Sequence, residues 1–170
     1  MNKQEAIQLL LKAADFFEQQ SAGYKSWGKV EVLQIAMRLD NNEIITTPKN
    51  KALSSLTAQD IVVADTDTVF SKIFSKRKKV QVILITQQEF ASQVKEEIPP
   101  ILDDQAQLLG VTVRIAKNDD DIIDSLNGRF ASVLLNGNSI CLGNSIDDAY
   151  VAAQLLEKTS KAFLEAKYLG

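Results

Sequence analysis

Few residue types in this chain can do chemistry, and they fall in few places. Asp119-Asp120-Asp121 is an acidic run of the kind that can hold a hard cation such as magnesium or calcium. Ser75-Lys76-Arg77-Lys78-Lys79 is a basic run of the kind that can touch nucleic acid. Cys141 is the one thiol, and histidine is absent from all 170 residues. That absence excludes most. The usual acid–base group near neutral pH is missing, and no His- or Cys-rich zinc site can form within one chain. Ser-His-Asp and Cys-His catalysis fall with it.

Each of these places also has a plain structural explanation. Asn118 followed by acids reads as a helix start, where the dipole favours negative charge. The basic run closes a helical segment, where lysine and arginine are favoured and solvated. Cys141 sits in an apolar run and reads as a small buried hydrophobe. Alone, it forms no internal disulfide, which suits a reducing cytoplasm.

The elements that must carry these residues are those of one domain over 1–170. The sequence is 45% apolar and 24% charged, with net charge −3 and pI near 5.1. That balance gives no broad attraction to nucleic acid or to an anionic membrane. No stretch reaches the roughly 18 apolar residues of a membrane span, and Met1 to Glu5 opens no signal peptide.

Asn2 and Glu5 start a helix that runs to about Gln20, with Ile7, Leu10, Ala14 and Phe17 on one face. Trp27 follows in a loop as a packing anchor. Val30 to Leu39 alternates, with Leu33, Ile35, Met37 and Leu39 on one face; Asp40-Asn41-Asn42 turns it into a second strand, Glu43 to Thr47. A short helical turn precedes the strand Ile61 to Asp65, and Phe70, Ile73 and Phe74 have helical spacing. Val80 to Ile85 reads as a buried strand. Thr86 with Glu89 reads as a capping box opening a short helix, Gln87 to Lys95. Val111 to Ile115 is a further strand, and Asn118 opens a helix ending at Asn127-Gly128. Ala131–Leu135 and Ser139–Leu142 form a hairpin about Asn136-Gly137-Asn138. Ser145 then caps a long helix with Ala149, Ala152, Ala153, Leu156 and Phe163 on its apolar stripe.

Several of these runs resemble the class II aldolase and adducin-like family over nearly the whole chain. Leu56 to Asp65 is similar to the family's L-T-x-x-D-I-V-V-x-D, and Ile98 to Gly110 to its run that opens I-P-P-x-x-D and closes on a Gly. Ile35, Ala36, Met37 and Arg38 sit where the family reads I-S-x-R, and Thr47-Pro48 matches its T-P. The resemblance implies a three-layer α/β/α sandwich with a mixed, mainly antiparallel central sheet. It also implies zinc-dependent lyase or epimerase chemistry on small sugar phosphates, often in cyclic tetramers with the site between subunits.

The residues that carry that chemistry are not matched. The three expected histidines read Ile85, Gln87 and Gly137. Ile85 has no donor atom and Gln87 only a neutral amide. The Gly-Asn of the phosphate loop reads Leu33-Gln34, and the Ser-Gly after Thr-Pro reads Lys49-Asn50, where Lys49 offers an anion only a point charge. Thr66 falls near the expected acid–base Glu. The expectation is therefore a non-catalytic homologue with no cofactor and no zinc. It would act as a binding, regulatory or structural protein, as a homo-oligomer with a tetramer favoured, with Trp27 and Phe70 as anchors. A small-molecule ligand is compatible with it. The alternative is a divergent carbon–carbon lyase or epimerase on a small sugar phosphate. Ile85 is expected to point into the old metal pocket, now core or a shallow apolar cleft.

Overall fold

A computed structural model describes residues 1–21 and 28–170; Trp27 lies outside the described residues. Helix α1 spans Lys3–Ser21, opened by Asn2, whose Oδ1 accepts the N–H of Glu5 at 2.8 Å. Its buried residues Ala6, Leu10, Ala13, Ala14 and Phe17 recur at helical spacing and face the sheet. Strands β1 (Val30–Arg38) and β2 (Ile44–Thr46) pair antiparallel about a turn that sets Asn42 at φ 67°. Next come the exposed β3 (Val62–Val63), α2 (Val69–Lys76) and β4 (Val82–Gln88). The second half holds α3 (Asp103–Leu108), β5 (Ile115–Ala116), α4 (Asp119–Ser125), β6 (Ala131–Leu134), β7 (Ser139–Gly143) and α5 (Ile146–Leu169).

The strands form one sheet in the order β3-β2-β1-β4-β7-β6-β5. Every pairing is antiparallel except β5 with β6. Two cores flank it. On one face α1 and α5 cover Val32, Ile35, Met37, Leu84 and Cys141. On the other α2 and α4 cover Ala36, Ile44, Ile83, Ile140 and Leu142. This is the expected α/β/α layering.

The caps read from sequence hold. Ser145 Oγ accepts the N–H of Asp148, and Asn118 accepts that of Asp121 at 2.9 Å. The acids Asp119 to Asp121 fill the first turn of α4. Cys141 is fully buried, and burial pushes its thiol up to about 12, against a bond with Thr86 that lowers it. It is a packing residue.

Other expectations are corrected. Strand β4 runs on through Gln88, so Thr86 and Glu89 form no capping box, and only Ala91–Gln93 is helical, as one 3₁₀ turn. The strand expected over Val111 to Ile115 shrinks to β5 and a single bridge between Val113 and Ile98. Phe70 is buried in the core beside Ile73 and Phe74, so it anchors its own fold and not a neighbouring chain. Leu33 does not join the core with Ile35, Met37 and Leu39. The register of β1 on β4 skips it, from Val32 opposite Thr86 to Gln34 opposite Ile85. It is the extra residue of a β-bulge.

The tightest backbone contact lies where β7 hands over to α5. A β-carbon on Gly143 would meet the amide nitrogen of Ala149 at 2.2 Å and the carbonyl of Ser145 at 2.7 Å. Both neighbours are backbone of the helix start and cannot turn aside. Gly143→Ala is therefore expected to destabilise the protein by about 2–4 kcal/mol. Urea unfolding of the two proteins checks this; equal midpoints would mean that α5 shifts without cost.

Candidate functional site

The region to which the resemblance assigns chemistry gathers at one end of the sheet, around the last residues of β4. Ile85, Gln87 and the cross-strand neighbours Gln34 and Glu31 share one face. It is the face that α2 and α4 cover farther along. Here that cover thins. Ile85 is half-buried and packs on the edge of that core, while Gln87 is exposed. The alternate residues Thr86 and Gln88 point the other way and are buried under α5.

Gly137 stands next to this strand end. The pair Thr86–Ser139 is the last in the register of β4 on β7, and the turn 136–138 follows directly. The turn is closed by Gly137 N–H to Leu134 O at 3.0 Å and by Asn138 N–H to the Asn136 side chain at 2.9 Å. Gly137 has φ 90°, a backbone that side chains disfavour. The three positions thus lie toward one end of the sheet. Their donor set is one amide, and it does not fit zinc. Among the described residues no three His, Cys, Asp or Glu side chains gather into a metal-holding group.

The loops that would cradle a phosphate are occupied by internal bonds. The N–H of Ile35 faces β2, and the Thr47 hydroxyl accepts it at 3.0 Å. Thr47 N–H returns to Ile35 O at 3.0 Å, and Gln34 Nε2 donates to Thr47 O at 3.1 Å. Thr47 is completely buried by this lock. Lys49 and Asn50 stand exposed just beyond it, in the turn after Pro48. Thr66 is exposed in the turn before α2 and carries no carboxylate.

Sequence reading missed the group that holds this end together. Glu157 lies on α5, four residues after Ala153, inside the apolar stripe, and is completely buried. Its carboxylate accepts the N–H of Phe90 at 2.9 and 3.0 Å and that of Ala91 at 2.9 Å. It thereby caps the 3₁₀ turn after β4, whose Ser92 lies beside Gly137. Gly28, at φ 117°, passes so close that a β-carbon would lie 2.4 Å from Glu157 Oε2. An acid four residues after Ala153 and eight after Ala149, in line with the helical stripe, was the available signal. Glu31, across from Gln87, was missed as well.

The chain matches the family model of the class II aldolase and adducin N-terminal domain over residues 20–164. Comparison with curated proteins by sequence gives no match. Among solved structures, an L-fuculose 1-phosphate aldolase superposes with TM-score 0.84 at 16% identity, over 100% of this chain and 90% of the other. A sugar-phosphate aldolase from Thermotoga maritima gives TM-score 0.73 at 13% identity, over 98% and 97%. L-fuculose 1-phosphate aldolase from Glaciozyma antarctica PI12 gives 0.69 at 20% identity, over 96% and 74%.

Burial of Glu157, reinforced by the charge of Glu89, raises its carboxyl from 4.5 to about 7 against the pull of the N–H bonds. A carboxyl with a higher pKa folded than unfolded takes up a proton on folding between those two values. Its contribution is complete below about pH 4.5 and is lost as pH rises through about 7. Glu157→Gln keeps an oxygen for both N–H groups, since both reach Oε1. The variant should therefore lose less thermal stability than the wild type between about pH 5 and about pH 7.5. Parallel slopes in calorimetry would remove Glu157 as the source. The match over most of its length makes this chain a member of the class II aldolase and adducin N-terminal domain family.

Proposed function

We propose that this family member is non-catalytic and acts by binding, in a regulatory or structural role, with residues 1–170 working as one domain. The observation that carries the reading is the state of the site at the end of β4. Ile85 packs on an apolar cluster, where the resemblance expects a ligand to zinc. The phosphate-loop positions support the same reading, because Gln34 Nε2 is spent on Thr47 O and the Thr47 hydroxyl on the N–H of Ile35. Metal, acid–base and anion contacts are the sources of transition-state stabilisation in such a lyase, and each is unmatched here. The proposed setting is the cytoplasm. A completely buried Cys141 agrees with it, and among the described residues no helix is long and apolar enough to cross a membrane.

The test is an assay for cleavage of small ketose phosphates with added zinc, paired with elemental analysis after dialysis. The wild type should show neither turnover nor stoichiometric zinc. Zinc-dependent turnover would establish the divergent lyase or epimerase instead. The triple variant Ile85→His, Gln87→His, Gly137→His should stay inactive and lose about 2–3 kcal/mol of stability. Most of the loss comes from strain at φ 90° and from apolar contact given up at Ile85.

We also propose a homo-oligomer, with a tetramer favoured. The edge strand β3 supports it: Val62 and Val63 are both exposed, 49% and 43%, at the free border of the sheet. Light scattering at micromolar concentration should give a mass near four times 18.8 kDa; a mass of 18.8 kDa would refute it.

A further inference from the structure

The link from α2 to β4 carries the basic run, and its backbone is turned in an unusual way. Arg38, at the end of β1, donates to the carbonyls of Phe74, Arg77, Lys78 and Val80 at 2.5–2.9 Å. Its guanidinium carbon lies 4.9 Å from the centre of the Phe74 ring. Carbonyls at a helix end ordinarily face solvent and repel anions. Here one cation beneath them takes them up.

The donors of the same turn are left over. Val80 N–H closes it on Arg77 O at 3.1 Å, but the N–H groups of Lys78 and Lys79 meet no acceptor among the described residues. Arg77 is spent on structure too, donating to Leu126 O and Arg129 O at 2.6 Å across the face of Phe130. Lys76, Lys78 and Lys79 are exposed, and among the described residues none pairs with a carboxylate. In a protein of net charge −3 these cations line a cavity of about 370 Å³, with Arg77, Val80, Phe130 and Asn144 as its other walls.

We infer that this cavity binds a small phosphorylated molecule. The phosphate sits on the free N–H groups of Lys78 and Lys79 and on the ammonium groups of the three lysines. Backbone donors in series and lysine point charges are the groups that hold such an anion. The remainder lies against Phe130 and the Asn144 amide. The volume falls within the range of small-molecule clefts, roughly 300–1,000 Å³. A nucleic-acid backbone fits less well, because the neighbouring hollows carry Asp124 on one side and Asp148 on the other. The cavity lies at the opposite end of β4 from the positions expected to hold zinc. Five residues, about 16 Å, separate Val82 from Gln87. The inference therefore holds whether or not that other end retains activity.

The experiment uses the full chain and inorganic pyrophosphate as the probe, followed by calorimetry and by amide NMR at low ionic strength. Saturable binding is expected, with shifts of the Lys78 and Lys79 amide signals and weakening by added salt. Lys76→Ala/Lys78→Ala/Lys79→Ala should bind more than about tenfold more weakly, while Lys49→Ala binds like the wild type. The amide shifts are read on the wild type, so the test does not depend on the triple variant folding. Absence of saturation, unmoved Lys78 and Lys79 amides, or loss of binding in Lys49→Ala alone would overturn the site. An RNA or DNA oligonucleotide that displaces pyrophosphate at far lower concentration would overturn the choice of a small ligand.

Discussion

The structure depends on how β4 is buried along its length. It is the fourth of seven strands, and over Val82–Leu84 both of its faces are inside. Val82 and Leu84 meet the core under α1 and α5, and Ile83 meets the core under α2 and α4. From Ile85 onward one face loses its helices, while Thr86 and Gln88 stay covered by α5. A strand with two buried faces must be apolar throughout, and one with a single buried face alternates. The position of that change decides where the sheet can present side chains to a ligand. It also explains why the positions of the missing zinc ligands lie past Leu84 and not before it.

The same change accounts for what the sequence made legible. Val80 to Ile85 is continuous and apolar, so the first half of β4 was readable as a buried strand. Its second half was not, because polar residues after an apolar run imitate a helix start. Thr86 and Gln88 are instead satisfied within the strand. Gln88 Nε2 donates to Thr86 Oγ1 and to Ala153 O, each at 3.1 Å. Caps at Asn2, Asn118 and Ser145 were readable because their chemistry is local. The bulge at Leu33 was not, since one extra residue leaves the alternation on either side intact while taking Leu33 out of the register. The resemblance located Ile85, Gln87 and Gly137 at one end of the sheet. Their degree of cover depends on α2 and α4, remote in sequence, and no local pattern reports it.

Buried charge follows one rule at both ends of β4. At the far end the carboxylate of Glu157 is held by the N–H groups of Phe90 and Ala91. At the near end the guanidinium groups of Arg38 and Arg77 are held by backbone carbonyls. Among the described residues neither end has a salt bridge to these groups. Each ion instead fills the orphaned backbone groups of a helix end or turn, which would otherwise be left desolvated and unpaired.

This arrangement fixes what remains for function. These groups give their hydrogen bonds to the backbone, and for Glu157 those bonds do not fully offset the burial of the charge. Around Glu157 the neighbouring site carries the amides Gln34, Gln87 and Asn50 together with the charges of Glu31, Lys49 and Glu89. Around Arg38 and Arg77 the lysines of the turn pair with no carboxylate among the described residues, and the carbonyls of the same turn are taken up by Arg38. The anion-attracting end of the protein is thus the end where the helix terminus has been neutralised from within, and it is set apart by the length of β4 from the end where the family resemblance expects a phosphate.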